Sequence, residues 1–593
     1  MSLFQETLAG QILHHGSRKR LFPYPEQQPG YVLPPHLLGG QAGDEARLKG
    51  HPAWEGPPAA NRSLEPPRER EGRESDASTL VEPPTGASGD ATPPRTAGDG
   101  LEEVRLEDGT SDAEKEKIRA RESLVDWYGP DDPANPMNWS TGRKVFVTAL
   151  ICLLTFSVYI GSAIYSPGIP DVSQEFGASS TTAALGLTLF VFGYGLGPMF
   201  LAPLSEIPSI GRNPPYLATL AIFVALQYPT ALATNIHTLL ALRFLAGFFG
   251  SPSLATGGAT LSDMFGPAHR PYAIGIWGLA AVCGPVLGPL VGGFASEKLG
   301  WRWTIWPLAF LASATLIILC FTLPETSAHN ILVRRARRLR ALTGNKGLQS
   351  EGEREQASMT GREAVMTSFV RPFTLSIEPI VFFLNLYIAL VYAILYTWFE
   401  SFPLVFVDIY GFTPGTEGLA YLGIFVGAIL TYALYCLYVR AYLEPAVLAS
   451  LRSGRRPEPE DRLPPAFLGA FAIPLCLFWF GWTARADIPW IVPVIGSSFF
   501  SVGAFLLFNS VLNYLGDAYS RYAASVLAGN DLFRSYVGGA FPLFAGAMFA
   551  HLGVGGGNSL LGGLSIVMIP IPFVLYFYGP RIREWSKYAD KDE

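Results

Sequence analysis

Charge is scarce in this chain: of 593 residues only 16% are Asp, Glu, Lys or Arg, and the net charge is −6. The charges gather in the amino-terminal tail and in short breaks between apolar stretches, so no basic domain argues for nucleic acid. Cysteine is scarcer still. Cys152, Cys283, Cys320, Cys436 and Cys476 each sit inside an apolar stretch, with neither metal-site spacing nor a disulfide framework, which leaves them a packing role. No HExxH, GxSxG or paired Asp/Cys/His motif stands at membrane depth, so an enzyme would have no nucleophile–base or metal set. An ATP-driven pump is disfavoured too, because no GxxxxGK[ST] loop is present. The opening MSLFQETLAGQILHHGSRKR is polar and no apolar core of a signal peptide follows it. No cofactor or metal is expected.

What is abundant is apolar sequence, 49% of the residues, in long uninterrupted blocks. Residues 1–142 form a polar tail whose middle, 32–115, is rich in Pro, Gly, Glu and Arg and cannot bury a core, so the tail is expected to be largely disordered. The first thirty residues carry enough Leu and aromatic content to dock locally. Apolar blocks follow at 145–167, 181–203, 215–234, 237–260, 271–295 and 303–323. A charged segment, 324–376, interrupts them, and six more come at 378–406, 417–440, 464–484, 488–514, 521–550 and 556–579. Most exceed the ~20 residues that cross a ~30 Å hydrocarbon core. The reading is an all-α membrane protein of twelve transmembrane helices in two six-helix, pseudo-symmetric halves, 143–323 and 377–580, with a central loop 324–376 and a short tail 581–593.

Loop charges orient it. Arg143, Lys144, Arg212, Arg270, the run Arg334, Arg335, Arg337, Arg338 and Arg340, then Arg452, Arg455, Arg456, Arg462, Arg521, Arg581, Arg583, Lys587 and Lys591 fall on one side. The other side has only Lys298, Arg302 and Arg485. The positive-inside rule then places both termini in the cytoplasm, and an inverted or thirteen-span arrangement would put the Arg334–Arg340 run outside.

The fifth block reads GIWGLAAVCGPVLGPLVGG, with Gly275, Gly284, Gly288, Pro289, Gly292 and Gly293 in the pattern G-x8-G-x3-G-P-x2-G-G. Gly284, Gly288 and Gly292 are four apart and share one helix face, where small residues let another backbone come close. Pro289 removes a backbone donor and bends the helix. A packing seam would use such residues, but the full pattern resembles the antiporter signature of drug:proton antiporters in the major facilitator superfamily. Further stretches resemble the fungal twelve-span members: Asp126-Trp-Tyr-Gly-Pro-Asp-Asp-Pro133, Asn138-Trp139-Ser140, Pro203-Leu-Ser-Glu206 with Gly211-Arg212, Arg243-Phe-Leu-Ala-Gly247, Gly300-Trp-Arg-Trp303, Leu323-Pro-Glu-Thr326 and Asn513-Tyr-Leu-Gly-Asp517. The opening thirty residues and ESFPLVFVDIYGFTPGTEGLAYLGIFVG look like the branch associated with resistance to benomyl, cycloheximide, methotrexate and azoles. Two stretches depart from the superfamily pattern. Ile-Pro-Ser-Ile separates Glu206 from Gly211, with Asn213 in place of a second basic residue, and Pro324-Glu-Thr-Ser327 is not the P-E-S-P-R run of sugar porters.

The resemblance implies a proton-driven antiporter exporting lipophilic drugs, fungicides or toxic metabolites across the plasma membrane, working as a monomer in the lipid bilayer with protons as the exchanged ion. A narrow secondary-metabolite exporter is the alternative, and a proton-coupled nutrient importer a further one. Arg243 lies within an apolar helix, where a charge costs ~2.5–3.5 kcal/mol or more, so it faces a partner or a cavity. It either braces the first half through backbone carbonyls or tunes a nearby acid; the matching Arg of the family is tied to proton coupling. Asp531 and Arg534, three apart on one helix face, form an ion pair that either steadies the helix or takes part in proton coupling. Glu206, Gly211 and Arg212 are expected in an inner-face gate, as in the family. Tyr387, Tyr392, Tyr396, Trp398, Phe399 and Asn530 are candidates for the substrate cavity, an aromatic wall suited to flat, lipophilic or cationic drugs.

Overall fold

The computed structural model describes residues 3–17, 21–28, 123–358, 370–454 and 457–590. The disordered-tail expectation falls mostly on residues outside that set, as do Arg455, Arg456 and Lys591. Apart from two strands of two residues, Leu124–Val125 and Gln349–Ser350, the regular elements described are helices.

The helices begin where local chemistry lets them. Ser179 and Asn235 cap the second and fourth spans by accepting the backbone N–H groups of Thr182 and Thr238. Proline occupies the first turn of the third, seventh, eighth and ninth spans, where its missing N–H costs nothing. The first six spans are Thr141–Ala163, Ser180–Glu206, Asn213–Ala231, Ile236–Ser262, Arg270–Leu299 and Arg302–Thr322. The seventh is Pro379–Phe402, continued to Ile409 by π-helical turns. The eighth runs as helix from Pro414 to Arg452. At 1.5 Å per residue its 39 residues span about 58 Å, so it projects well beyond the block expected for it. The ninth and tenth are Pro464–Thr483 and Ile491–Ala518.

The last two spans are joined through Gly553, whose φ of +70° interrupts the helix Pro542–Met568. The Asp590 N–H donates to the Ala518 carbonyl and the Asp590 carboxylate accepts from the Ser520 N–H, so the chain's end lies beside the start of the helix at Ala523. The chain therefore reverses between them at Gly553, and twelve spans result.

Within the first half the first span packs on the fifth, the second on the fourth and the third on the sixth; within the second half the ninth packs on the tenth and twelfth, and the seventh on the eleventh. Between halves the fifth meets the eighth and the second meets the eleventh. Exchanging each span of one pair for its counterpart six places away in the other half (five for eleven, eight for two) produces the other pair, which is the signature of two like halves related by a pseudo-two-fold axis. All five cysteines are free.

The central loop contributes a helix, Ala328–Thr343, started by Ser327 as its cap and ended by Gly344 at φ +71°. Its arginines hold the structured ends of the amino-terminal tail. Glu6 lies 3.6 Å from Arg334, and Glu26 lies 3.5 Å from Arg335 and 3.3 Å from Arg338. Asp132 lies 2.7 Å from Arg335, and the Tyr128 hydroxyl donates to Glu26 at 3.0 Å. The local docking expected of the first thirty residues is thus present, and the Asp126–Ser140 stretch folds against the same helix.

Candidate functional site

The second span brings Tyr194, the first Tyr159, the seventh Tyr392 and Tyr396, and the eleventh Asp531 and Arg534 to one buried interface between the halves. The Tyr159 and Tyr392 hydroxyls are 2.8 Å apart, as are those of Tyr194 and Tyr396. Each pair joins one half to the other. Arg534 Nε donates to Asp531 Oδ1 at 2.9 Å, and Nη2 pairs with the same oxygen while also reaching the Tyr159 hydroxyl at 3.4 Å. The helical i,i+3 spacing makes the pair, as its residue numbers require. Asp531 Oδ2 is buried without a partner. A charged pair at this depth is costly unless its hydrogen bonds are satisfied, and those of this carboxylate are only half met.

Beside this network a cavity of about 60 Å³ opens between the first, fourth, fifth, seventh, tenth and eleventh spans. Tyr159, Trp277, Tyr392, Phe508, Asn509 and Arg534 supply its polar and aromatic wall. Ligand pockets for drug-sized molecules run to ~300–1,000 Å³, so this is a contracted site. The contacts at either end agree. On the face that carries the termini, Arg270 lies 3.9 Å from Asp517 and the Tyr272 hydroxyl donates to Glu444 at 2.8 Å. On the opposite face the Gly415 N–H donates to Glu297 at 3.0 Å. The fifth span thus touches the second half on both sides of the cavity.

Of the residues expected in the cavity, Tyr392 lines it. Tyr396 is spent on Tyr194. The Trp398 indole reaches Asn558 and its rings pack on Phe402, Phe480 and Phe500 inside the second half. Phe399 packs on Tyr396 and Tyr421, and Tyr387 is fully buried away from the cavity wall. The Asn530 carboxamide donates to Asn385 at 2.7 Å and clamps the eleventh span to the seventh. A period of 3.6 turns successive aromatics of one helix to different neighbours, so a run of them cannot all face one cavity.

Arg243 is fully buried in the fourth span. Its Nε donates to the Gly186 carbonyl at 2.9 Å and its guanidinium stacks on Phe190 and Tyr165. Among the described residues no carboxylate pairs with it, and Nη1 and Nη2 are buried without a hydrogen-bond partner.

The glycine ladder has two working faces. A Cβ on Gly284, Gly288 or Gly292 would strike the first span, with Ile164 O only 2.1 Å from the position on Gly292. Gly293 and Gly275 look the other way. A Cβ there would meet the eighth span, at Pro414 O and at Tyr432. Pro289 and Pro285 sit inside a helix that stays continuous.

At the face carrying the termini, Arg212 lies 3.2 Å from Asp263 and its Nη1 donates to Ser205. Glu206, expected in this gate, makes no hydrogen bond or ion pair among the described residues, though its charge acts on Arg212 beside that of Asp263. The acid at the centre is Glu325. Fully buried, it accepts the backbone N–H groups of Arg212, Asn213, Thr326 and Ser327 and lies 3.6 Å from Arg334. Gly211, at φ +83°, presses against it: a Cβ would stand 2.6 Å from Glu325 Oε2. Asn213, in the slot of a second basic residue, instead donates to the Leu323 carbonyl at 2.7 Å. Tyr159, Tyr194, Asn509 and Glu325 were thus missed as site residues. Glu325 stood in the quoted Leu323–Thr326 stretch, but nothing in its local spacing pointed to the loop at Gly211.

Twelve membrane helices in two like halves around a central cavity define a membrane transporter of the alternating-access kind. The profile described as Major Facilitator Superfamily matches residues 151–542, and the chain belongs to that superfamily. It is 47% identical over 472 residues to "Transporter mfs1" of Schizosaccharomyces pombe, covering 79% of this chain and 88% of that protein. It is 44% identical over 477 residues to "Cycloheximide resistance protein" of Candida maltosa, covering 79% and 86%. Among solved structures, the proton:xylose symporter XylE superposes with a TM-score of 0.54 at 16% identity, over 74% of this chain and 97% of that one, a likeness of fold alone.

Proposed function

We infer that this chain is a proton-coupled antiporter, and not an enzyme, that exports lipophilic drugs, fungicides or toxic metabolites across the plasma membrane, with both termini in the cytoplasm. The observation that carries the reading is the buried Asp531–Arg534 pair, with one carboxylate oxygen free, set at the cavity and tied through Tyr159 and Tyr392 to the opposite half. The name of the Candida maltosa relative supports drug export. Protonation of Asp531 would loosen its hold on Arg534 and hence the inter-half bond, which couples proton binding to separation of the halves. Arg243 steadies the second and fourth spans while this happens. The glycine ladder lets the fifth span slide on the first and eighth. The loop Gly211–Asn213, held by Glu325 and Asp263, latches the cytoplasmic face. No bound cofactor is required, since the proton gradient drives the cycle, and a monomer contains the whole pathway.

Efflux of a lipophilic fluorescent drug from drug-sensitive yeast expressing the chain tests this, with and without a protonophore, beside Asp531→Asn and Arg243→Ala at matched surface expression. Energy-dependent efflux is expected that collapses with the protonophore and in Asp531→Asn. Efflux unaffected by the protonophore would overturn proton coupling, and net uptake would overturn export.

A further inference from the structure

The cavity wall is poor in negative charge. Among the described residues that line it, Arg534 is the one with a formal charge. Asp531 binds that guanidinium through Nε and Nη2 but is not part of the wall, so the ion pair turns its positive end to the cavity. Arg534 Nη1 makes no hydrogen bond among the described residues and is left to donate. Two of the ring faces that would attract a cation are already engaged: the Arg534 guanidinium lies 4.9 Å from the Tyr392 ring centre and 5.2 Å from that of Phe508. The Trp277 indole N–H is spent on Thr155 at 2.9 Å.

One polar group complements this donor. The Asn509 carboxamide nitrogen donates to the Phe505 carbonyl at 3.2 Å, while its oxygen is buried with no partner. An unfilled acceptor in an otherwise apolar wall is costly until a ligand donor meets it. An organic cation entering here would lose its hydration, meet a like charge and find no carboxylate to replace either.

We propose that this cavity selects uncharged or anionic lipophilic molecules bearing a carbonyl or carboxylate acceptor for Arg534, and rejects organic cations, with Arg534 as the specificity-determining residue. The proposal rests on the transport reading above and narrows its substrate class, replacing the cationic drugs that an aromatic wall alone would admit. The chemistry is reversible binding, with no covalent step.

The test uses the full chain in lipid nanodiscs and three radiolabelled probes on one scaffold: 2-(2-naphthyl)ethylamine, its N-acetyl derivative and 3-(2-naphthyl)propanoic acid. Equilibrium dialysis should give a Kd for the amide and the acid at least about tenfold tighter than for the ammonium, a difference of about 1.4 kcal/mol. Asn509→Asp, which adds a carboxylate to the wall, should reverse the order and improve ammonium binding by about tenfold. Ammonium binding as tight as that of the amide in the unmodified chain would overturn the proposal, as would an unchanged order in a folded Asn509→Asp protein. The ranking in the unmodified chain decides the matter if that variant does not fold. Failure here leaves the direction and proton dependence of efflux untouched, whereas net uptake or proton-independent export in the yeast assay would overturn the transport reading with the ranking intact.

Discussion

The hydroxyls of Tyr159 and Tyr392 meet at 2.8 Å, and through that contact the first span of one half is bonded to the seventh of the other. Arg534 reaches the same Tyr159 oxygen, so a single phenol links the inter-half seam to the buried ion pair. Tyr392→Phe removes the seam bond and keeps the ring. It should shift the balance between closed and open halves by about 0.5–1.5 kcal/mol, a two- to tenfold change in populations. Distances between spin labels on the two halves would register that shift, and unchanged distance distributions would show that the bond carries no conformational weight.

Glu325 is the acceptor for four backbone N–H groups, two of them in the Gly211–Asn213 loop. Glu325→Gln keeps the size and removes the charge, which should cost about 1.5–3 kcal/mol because bonds to a charged acceptor are the strong ones. Hydrogen exchange at 207–213 should accelerate by ten- to a hundredfold while exchange in the ninth and tenth spans stays as it was.

The ladder predicts a graded effect. Gly292→Ala places a Cβ 2.1 Å from the Ile164 carbonyl, whereas Gly278→Ala meets only the Asn509 carboxamide nitrogen at 3.5 Å. The first should lower stability by about 1–3 kcal/mol and the second by well under that. Melting of the purified variants in detergent would separate them, and equal melting temperatures would mean that the first span yields freely.

The docked tail has its own pH behaviour. Burial works against the Asp132 carboxylate, but the Arg335 guanidinium at 2.7 Å and the N–H groups of Tyr128 and Ala134 outweigh it and hold the carboxyl below its usual range. A depressed folded-state pKa contributes stability that is complete above the ordinary Asp range near 4 and is lost as pH falls through the lowered value. Glu6 acts the other way. Burial, the largest influence, pushes its carboxyl up despite Arg334, so its part of the docking weakens as pH rises through the raised value. Protease cleavage within 3–28 should therefore become easier as pH rises above the usual Glu range in the native chain and much less so in Glu6→Gln, while Asp132→Asn should loosen the 126–140 stretch at neutral pH.

Much of this was legible before any coordinates. Span length follows from the run of apolar residues needed to cross lipid. The Asp531–Arg534 pair and the shared face of Gly284, Gly288 and Gly292 follow from helical periodicity. Membership of one aromatic-rich span grouped Trp398, Phe399 and Tyr387 with Tyr392, whereas the turn of the helix sends them to other neighbours.

What local pattern could not settle is which distant groups meet. Tyr159 and Tyr392 are separated by 233 positions, and Arg212 and Glu325 by 113. Those pairings, the two faces of the ladder, the docked tail and the sign of the charge facing the cavity were decided only when twelve helices packed as two halves. The sequence by itself determined elements whose energetics are local: lipid exclusion, backbone satisfaction within a helix, and contacts three or four residues apart. The site was decided by tertiary structure, because a hydrogen bond between halves depends on how whole helices are placed, which no window along the chain contains.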